Sequence, residues 1–458
     1  MAQHYITITG RDYDAMADLV RKHKVGVIGH TAQKLAGTRY SVRACATAAQ
    51  IRALQKAGYK IKQHEELDKA GRQRQAEFRS AQKKAIRAEA ATVAAAGGYL
   101  SVAEVEAALA TAAAPPNDSI VKLIEFPHKT WENRECHAVK IANGSGLGRP
   151  GIYFLGGVHA REWGSPDILI NFVQQLLEAY RANTGITIGK KKFTAATIQD
   201  IVNKKDIYVF PQANPDGRNY SLTSESMWRK NRRPAPAGST KPECVGVDIN
   251  RNYDFLWNYP QYFDPAAPVA NSTSPCDYQV YVGPNAASEP ETRNVVWMLD
   301  TYPNIGYLID VHSFGEDILY NWGDDLEQST KPDMNFQNPA YDGKRGIATD
   351  KAYKEYLKSD DKATFLKLGR QMPDAIKAVR GRVYKVEQSV GLYPTAGTSD
   401  DYAFSRHLAD PSKPKVYSYT IEWGRENNPT PFHPPYAEMQ KIIQEITAAL
   451  LEFCARAG

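Results

Sequence analysis

The chain of 458 residues lacks a long hydrophobic run and a hydrophobic leader. Its apolar stretches all fall short of the roughly 18 residues that a membrane-spanning helix needs, so we expect no membrane segment. The first residues, Met1 to Thr7, have neither the basic nor the apolar region of a signal peptide, and we predict none in this chain. Internal repeats are also missing. What remains, 42% hydrophobic and 24% charged residues, is typical of a soluble globular protein.

Charge is distributed unevenly. Residues 1–97 carry 18 Lys and Arg against 8 Asp and Glu, a balance of +10, and the remaining 39 basic and 43 acidic residues leave −4. The basic part has no interleaved aromatic residues and no recognition motif, so we expect no nucleic-acid partner. A basic segment beside an acidic one predicts instead that the two parts of the chain dock on each other.

The N-terminal part has the pattern of a small α+β domain. The order strand, helix, strand, strand, helix, strand predicts a ferredoxin-like domain over residues 1–64. Residues 65–98 are charged and Ala-rich, which predicts a helical linker, and its Arg and Lys residues make it a protease-sensitive hinge.

The remainder, residues 99–458, alternates buried strands with long helices. This pattern predicts one α/β domain with a mixed, mostly parallel sheet flanked by helices and with functional sites at the strand ends. The segments that carry the prediction are strands at 120–126, 136–142, 151–155, 206–212, 305–311, 383–389 and 415–421, and helices at 101–113, 166–182, 288–301, 361–380 and the C-terminus.

A possible metal site lies where the strand at 151–155 ends. His159 and Glu162 follow that strand, and Ser165 and Pro166 are predicted as the N-cap and first residue of the next helix. An imidazole and a carboxylate held at such a turn can reach one cation. His-x-x-Glu alone is weak evidence, but His312 also follows an apolar strand and completes the two-imidazole, one-carboxylate set of a catalytic zinc.

A second carboxylate stands at the end of another apolar strand. Glu422 follows Val416–Ile421, where a buried acid without a partner would be costly. Beside a zinc-bound water such a carboxylate could act as the general base.

Several longer motifs surround these residues, and together they resemble a zinc metallocarboxypeptidase of the carboxypeptidase A/B type, the funnelin family. They occur in the family's order and cover residues 99–458. The motifs are Gly-Val-His-Ala-Arg-Glu-Trp (157–163), Asn-Pro-Asp-Gly (214–217), Trp-Arg-Lys-Asn-Arg (228–232), Cys-Val-Gly-Val-Asp-Ile-Asn-Arg-Asn (244–252), Asp-Val-His-Ser-Phe (310–314), Tyr-Pro-Thr-Ala-Gly-Thr-Ser-Asp-Asp-Tyr-Ala (393–403) and Tyr-Thr-Ile-Glu-Trp (419–423).

The resemblance implies a role for each matching residue. One Zn²⁺ per chain would be held by His159, Glu162 and His312, with Asp248 orienting the first histidine. Glu422 would be the base and Arg229 the oxyanion stabiliser. The substrate's C-terminal carboxylate would bind Asn250 and Arg251, Tyr393 would close over it, and Arg161 would contact a secondary subsite.

By the same resemblance, Asp400 would form the floor of the pocket for the departing side chain. Relatives that accept basic residues hold Asp there, and those that accept aliphatic or aromatic residues hold an apolar residue. We therefore expect a preference for C-terminal Lys or Arg, or a dual preference if Gly323 lines the pocket and leaves it roomy. The assignment needs the correct register against Asp401, and the alternative is that Asp400 only caps a turn.

Two further expectations concern regulation and compartment. Family members carry prodomains of similar topology, so residues 1–97 would shield the active-site cleft through an intramolecular contact. Cys244 and Cys276 match a pair that is disulfide-bonded in digestive relatives, which favours a secreted protein although no signal peptide is present in this chain. By the same resemblance, the interval between His312 and Tyr393 is longer than in the animal enzymes, and it contains a polar insert at 324–360.

Three functions remain open at this point. The favoured one is an exopeptidase acting on peptide or protein C-termini. A zinc amide hydrolase of cell-wall peptides and a non-catalytic peptide-binding module are the alternatives. Asn250, Arg251 and Tyr393 argue against a substrate without a free carboxylate. The presence of Glu422 and Arg229 argues against a non-catalytic module.

Overall fold

The computed structural model describes residues 3–87, 97–144, 148–425 and 430–458. The N-terminal part forms a four-stranded sheet with the strand order β2-β3-β1-β4. Its elements are β1 (Gln3–Gly10), α1 (Tyr13–Arg21), β2 (Gly26–Lys34), β3 (Tyr40–Thr47), α2 (Ala48–Lys56) and β4 (Lys60–Glu66). The predicted ferredoxin-like order is therefore confirmed.

Local sequence explains where these two helices begin. The Asp12 side chain accepts a hydrogen bond from the backbone N–H of Ala15 at 2.8 Å and caps α1. Thr47 and Gln50 form a reciprocal capping box at α2. The buried faces of both helices, including Leu19 and Leu54, pack against the sheet in one apolar core.

The segment predicted as a helical linker contains α3 (Leu67–Arg87). Its following residues, 88–96, lie outside the described part of the chain. The helix lies on the larger domain, where the buried Gln75 side chain donates to the carbonyl of Ser221 at 2.8 Å.

The remaining residues build an eight-stranded mixed sheet with helices on both faces. Its strand order is β15-β12-β16-β11-β7-β10-β6-β5, and the four central strands, β16, β11, β7 and β10, run parallel. Its eight strands are β5 (Val121–Glu125), β6 (His137–Ile141), β7 (Gly151–Gly156), β10 (Asp206–Phe210), β11 (Ile305–Ser313), β12 (Asp317–Tyr320), β15 (Lys385–Gln388) and β16 (Tyr417–Trp423). Two separate two-stranded sheets pair β8 (Ile186–Ile188) with β9 (Lys191–Phe193) and β13 (Glu327–Gln328) with β14 (Glu355–Tyr356).

The helices of this domain complete the layers. They are α4 (Val102–Ala113), α5 (Gly164–Ala182), α6 (Ala195–Lys204), α7 (Pro215–Thr223), α8 (Tyr259–Tyr262), α9 (Pro290–Thr301), α10 (Ser359–Gly369), α11 (Gln371–Arg380), α12 (Ser399–Ala409) and α13 (Tyr436–Arg456). Among the helices of the described residues, none combines the length and the apolar character that crossing a bilayer requires.

The central strands are buried on both faces, which explains their continuous apolar sequence. In β7, Ile152 and Phe154 pack into one core cluster, and Tyr153 and Leu155 pack into the other. Alternate side chains of a strand point to opposite faces, so both layers of helices are held by the same short run.

One predicted helix is wrong in its extent. The segment 361–380 was expected to be continuous, but it is divided into α10 and α11 at Arg370. Pro373 has no N–H to donate to the carbonyl four residues earlier, at Gly369, so the helix is interrupted there.

Candidate metal centre and active site

The carboxyl ends of the parallel strands bring the predicted site residues together. After β7, Gly157 adopts a φ of +65°, and a Cβ there would lie 3.0 Å from the backbone of the neighbouring loop. Glycine therefore permits the sharp turn that delivers His159. On the adjacent strands His312 and Glu422 are direct partners in the parallel register. From the sequence we expected these two residues to follow their strands. In the structure they lie within β11 and β16, because strand pairing continues to Ser313 and Trp423.

The helix after this turn begins differently from the prediction. The N-cap residue of α5 is Trp163, without a side-chain hydrogen bond, and Ser165 lies inside the helix. The Ser165 hydroxyl instead accepts from Nε1 of Trp423 at 3.0 Å. A buried indole N–H on a distant strand needs an acceptor, and this tertiary demand decides the role of the serine.

Side chains of His159, Glu162 and His312 form a buried group that could hold a metal ion, with one ligand atom from each within 4.8 Å of the others. Nδ1 of His159 lies 2.8 Å from Oε1 of Glu162, and Nδ1 of His312 lies 3.0 Å from Oε2. The two Nδ1 atoms are 3.0 Å apart. These separations are close to the ~3.3 Å between tetrahedral ligands that each lie ~2.0 Å from one ion.

Glu162 is a buried carboxylate between the two imidazoles. Burial alone would raise the pKa of this carboxyl, but the charges of His159 and His312 outweigh burial and hold the pKa below its ordinary value. Two imidazole nitrogens and a carboxylate are donors that zinc accepts, and three protein ligands leave a fourth position for water.

A buried carboxylate lies behind each histidine. Nε2 of His159 is 3.3 Å from Oδ1 of Asp248, the carboxylate that the resemblance assigns to it, and Nε2 of His312 is 2.9 Å from Oδ2 of Asp310. Both are close contacts in which the ring N–H is not aligned for a full hydrogen bond. Asp310 was missed from the sequence, although its position two residues before His312 on the same strand face was a usable signal.

Arg229 lies beside this centre through its pairing with Asp248. Its Nε and Nη2 donate to Oδ2 of Asp248 at 3.0 and 2.8 Å. Burial would raise the pKa of Asp248, but the charge of Arg229, followed by His159, outweighs it and holds that pKa well below its ordinary value.

Next to the metal ligands, one cavity is lined by Glu422, Arg229, Asn250, Arg251 and Asp400. Burial lowers the pKa of Arg251 to about 10, and Asp248 opposes this shift. The Arg251 guanidinium is fixed by donation from Nε to the carbonyl of Ala270 at 2.9 Å and from Nη1 to the carbonyl of Asn250 at 2.6 Å.

The structure separates the two neighbouring acids. Asp400 lines the cavity, and its Oδ2 accepts from the hydroxyls of Ser389 at 3.1 Å and Thr420 at 3.3 Å. Asp401 points elsewhere and accepts the backbone N–H of Gly323 at 3.1 Å. Gly323 thus contacts Asp401, and its place in the pocket beside Asp400 stays a prediction.

Residues 25–30 of the N-terminal domain form part of the lining of this cavity. Nδ1 of His30 lies 3.8 Å from Oε1 of Glu422, and its Nε2 contacts the carbonyl of Phe314. Burial holds the pKa of Glu422 well above its ordinary value, with Glu162 adding to the shift and His312 opposing it. On the other side, Tyr393 donates to the carbonyl of Met16 at 3.0 Å.

Arg161 lies at the same cavity but faces a different wall. Its Nη1 donates to Oε1 of Gln279 at 2.9 Å, and its guanidinium lies 4.2 Å from the ring centroid of Phe432. Cys244 and Cys276 form a disulfide, which confirms the expected pair. The other cysteines, Cys45, Cys136 and Cys454, are buried and free.

Comparisons with known proteins agree with this geometry. Residues 107–449 match the family model described as zinc carboxypeptidase. Carboxypeptidase B of Astacus astacus is 30% identical over 64% of this chain and 76% of its own length, and carboxypeptidase O of Bos taurus is 28% identical over 71% and 70%. The crystal structure of carboxypeptidase A from Helicoverpa armigera has the same fold, with a TM-score of 0.71 and 21% identity, covering 99% of this chain and 98% of that one. The chain therefore belongs to the zinc carboxypeptidase family, and it is a metallocarboxypeptidase that hydrolyses C-terminal residues from peptides.

Proposed function

We propose that one Zn²⁺ per chain is bound by His159, Glu162 and His312, and that Glu422 is the general base. The observation that carries the proposal is the convergence of the three ligand side chains next to Glu422, in register on the neighbouring strand. When bound, the ion supplies a polarised water. Glu422 would accept a proton from a water at this site and deliver it to the leaving amine, a role that its position beside the proposed ligands allows.

The other cavity residues bind and orient the substrate. Arg229 donates to the scissile carbonyl oxygen as negative charge develops on it, while Asp248 keeps its guanidinium in place. Asn250 and Arg251 hold the C-terminal carboxylate, for which the guanidinium offers a bidentate fork. Tyr393 closes over the bound residue, and Arg161 contacts a residue farther along the peptide.

The substrate preference that we propose is for C-terminal Lys or Arg, with hydrophobic residues accepted less well. Support comes from the position of Asp400 in the same cavity as Arg251 and from its orientation, which differs from that of Asp401. A buried carboxylate favours a cationic partner over an apolar one because the apolar side chain cannot pair with it.

A panel of blocked dipeptides and a zinc measurement test this function. We expect about one zinc per chain and cleavage only of substrates with a free carboxylate. Glu422→Gln should keep zinc and lower kcat by several orders of magnitude. His312→Ala should lose stoichiometric zinc. Cleavage of an amidated cell-wall-type peptide would instead favour the amide hydrolase, and zinc-loaded protein without hydrolysis would favour a binding module.

We also propose that residues 1–97 inhibit the enzyme by docking over the cavity. Two contacts support this idea: His30 occupies the space beside Glu422, and Tyr393 is held by Met16 and packed in the apolar core of the N-terminal domain. A tyrosine held there cannot close over a substrate.

Limited proteolysis within 65–97 provides the test. We expect the cut protein, after separation of the N-terminal fragment, to be far more active than the intact chain. In the intact chain, the variant His30→Ala should raise the activity part of the way towards that of the cut protein. Equal activity of cut and intact protein, at low and high salt, would contradict inhibition.

For the compartment we propose an extracellular protein, which the Cys244–Cys276 disulfide supports because such bonds persist in oxidising surroundings. Thiol labelling of the protein in its natural compartment should leave Cys244 and Cys276 unlabelled. Labelled Cys244 and Cys276 would indicate a reducing compartment.

A further inference from the structure

We propose that Asp310 is a positioning residue that holds His312 in the orientation needed for metal binding. This inference rests on the proposed metal site. Asp310 is fully buried on β11, two residues before His312, and its Oδ2 lies 2.9 Å from Nε2 of the imidazole. A carboxylate at Nε2 keeps the proton on that nitrogen, and Nδ1 is then free to bind a metal.

The two histidines are arranged alike. Each turns Nδ1 towards Glu162 and Nε2 towards a buried carboxylate, Asp248 for His159 and Asp310 for His312. Asp248 also serves Arg229, so its negative charge is shared between two partners. The contact between Asp310 and His312 is the shorter of the two, at 2.9 Å against 3.3 Å.

Asp310 is itself fixed by the start of α12. The Ser399 hydroxyl donates to Oδ2 of Asp310 at 2.6 Å, and the Ser399 backbone N–H donates to Oδ1 of Asn250 at 2.8 Å. All of these residues are buried. Hydrogen bonds therefore link Asn250 to Ser399 and Ser399 to Asp310, and they hold the Asp310 carboxylate in close contact with the imidazole of His312.

A substitution series at Asp310 tests the inference. Asparagine keeps an acceptor oxygen but removes the charge, whereas alanine removes both. Zinc affinity, measured by competition with a chelator on the full chain, should fall about 10–100-fold in Asp310→Asn and further in Asp310→Ala. Ser399→Ala should cause a smaller loss, because Asp310 then lacks one of its two partners.

A spectroscopic measurement and a control separate positioning from general stability. In cobalt-substituted protein the visible spectrum should change in Asp310→Asn, since the His312 ligand is no longer held at its angle. Asp361→Asn is the matched control: Asp361 is a buried acid that accepts from Lys415 and Tyr417, and its replacement should leave zinc affinity and the cobalt spectrum unchanged.

The outcomes are distinguishable from failure of the proposed function. If the wild type binds zinc and cleaves peptides, but all three variants keep its zinc affinity within twofold and its cobalt spectrum, the inference is wrong and the function stands. If the wild type binds no zinc at this site, the proposed function fails first.

Discussion

Replacing Asp400 should convert a basic preference into a weak or apolar one, and the structure allows the size of the effect to be worked out. A cationic side chain ~4 Å from the carboxylate would gain about 4 kcal/mol of Coulomb energy at an effective dielectric constant of ~20. After desolvation, the net value of a hydrogen bond between charged groups is ~1.5–3 kcal/mol. That corresponds to a factor of roughly 10–150 in kcat/KM.

Groups that neighbour Asp400 should keep its effect on kcat/KM near the lower end of this range. Oδ2 of Asp400 already accepts from Ser389 and Thr420, so an apolar substrate does not leave the whole carboxylate without partners. Arg251 is also close enough for its charge to interact with Asp400. We therefore expect the ratio of kcat/KM for C-terminal Arg over Leu to fall ~10–30-fold in Asp400→Ala.

Competition between Arg and Leu substrates in one reaction measures this ratio. Both substrates meet the same enzyme molecules, so incomplete zinc loading or partial unfolding cancels. Ser389→Ala, which keeps the carboxylate and removes one hydroxyl donor, is the matched control and should stay near the wild-type ratio. An Asp400→Ala protein with an unchanged Arg to Leu ratio would refute Asp400 as the specificity residue.

Three other predictions follow from particular contacts. The Cys244→Ser, Cys276→Ser double variant should lose ~3–4 kcal/mol of unfolding free energy in denaturant titrations, because the bond closes a loop with a sequence separation of 32; a loss under 1 kcal/mol would contradict this. Burial raises the pKa of Glu291 to about 8, and the charge of Glu289 adds to the shift. Between about pH 4.5 and 8 the folded state therefore keeps a proton that the unfolded state has lost, and the free energy of unfolding should fall as pH rises through this range. In Glu291→Gln the decrease in stability over this pH range should be smaller than in the wild type, as measured by Tm. The same dependence of Tm on pH in both proteins would contradict the raised pKa of Glu291. Arg251→Lys should raise KM roughly tenfold with less effect on kcat, since lysine cannot bind the carboxylate bidentately; an unchanged KM would remove Arg251 from carboxylate binding.

Much of the architecture was predictable because the signals are local. Continuous apolar runs such as Ile152–Leu155 are typical of strands buried on both faces, and the capping box of Ser101 and Glu104 marks the start of α4. The ligand set His159, Glu162 and His312 was likewise predicted, since side chains at the ends of parallel strands meet at one edge of the sheet.

Other contacts depend on which distant segments of the chain pack together, and the local sequence does not predict that packing. Ser165 was predicted as an N-cap, but its hydroxyl accepts a hydrogen bond from the indole N–H of Trp423. Asp400 and Asp401 are neighbours in the sequence, but Asp400 lines the cavity and Asp401 accepts the backbone N–H of Gly323. The amino-acid sequence by itself determined the strands, the helices and the chemical types gathered at the site. Only the tertiary structure decided that Asp310 lies behind His312 and that Tyr393 is held by the N-terminal domain, because contacts between buried polar groups form wherever packing brings donor and acceptor together.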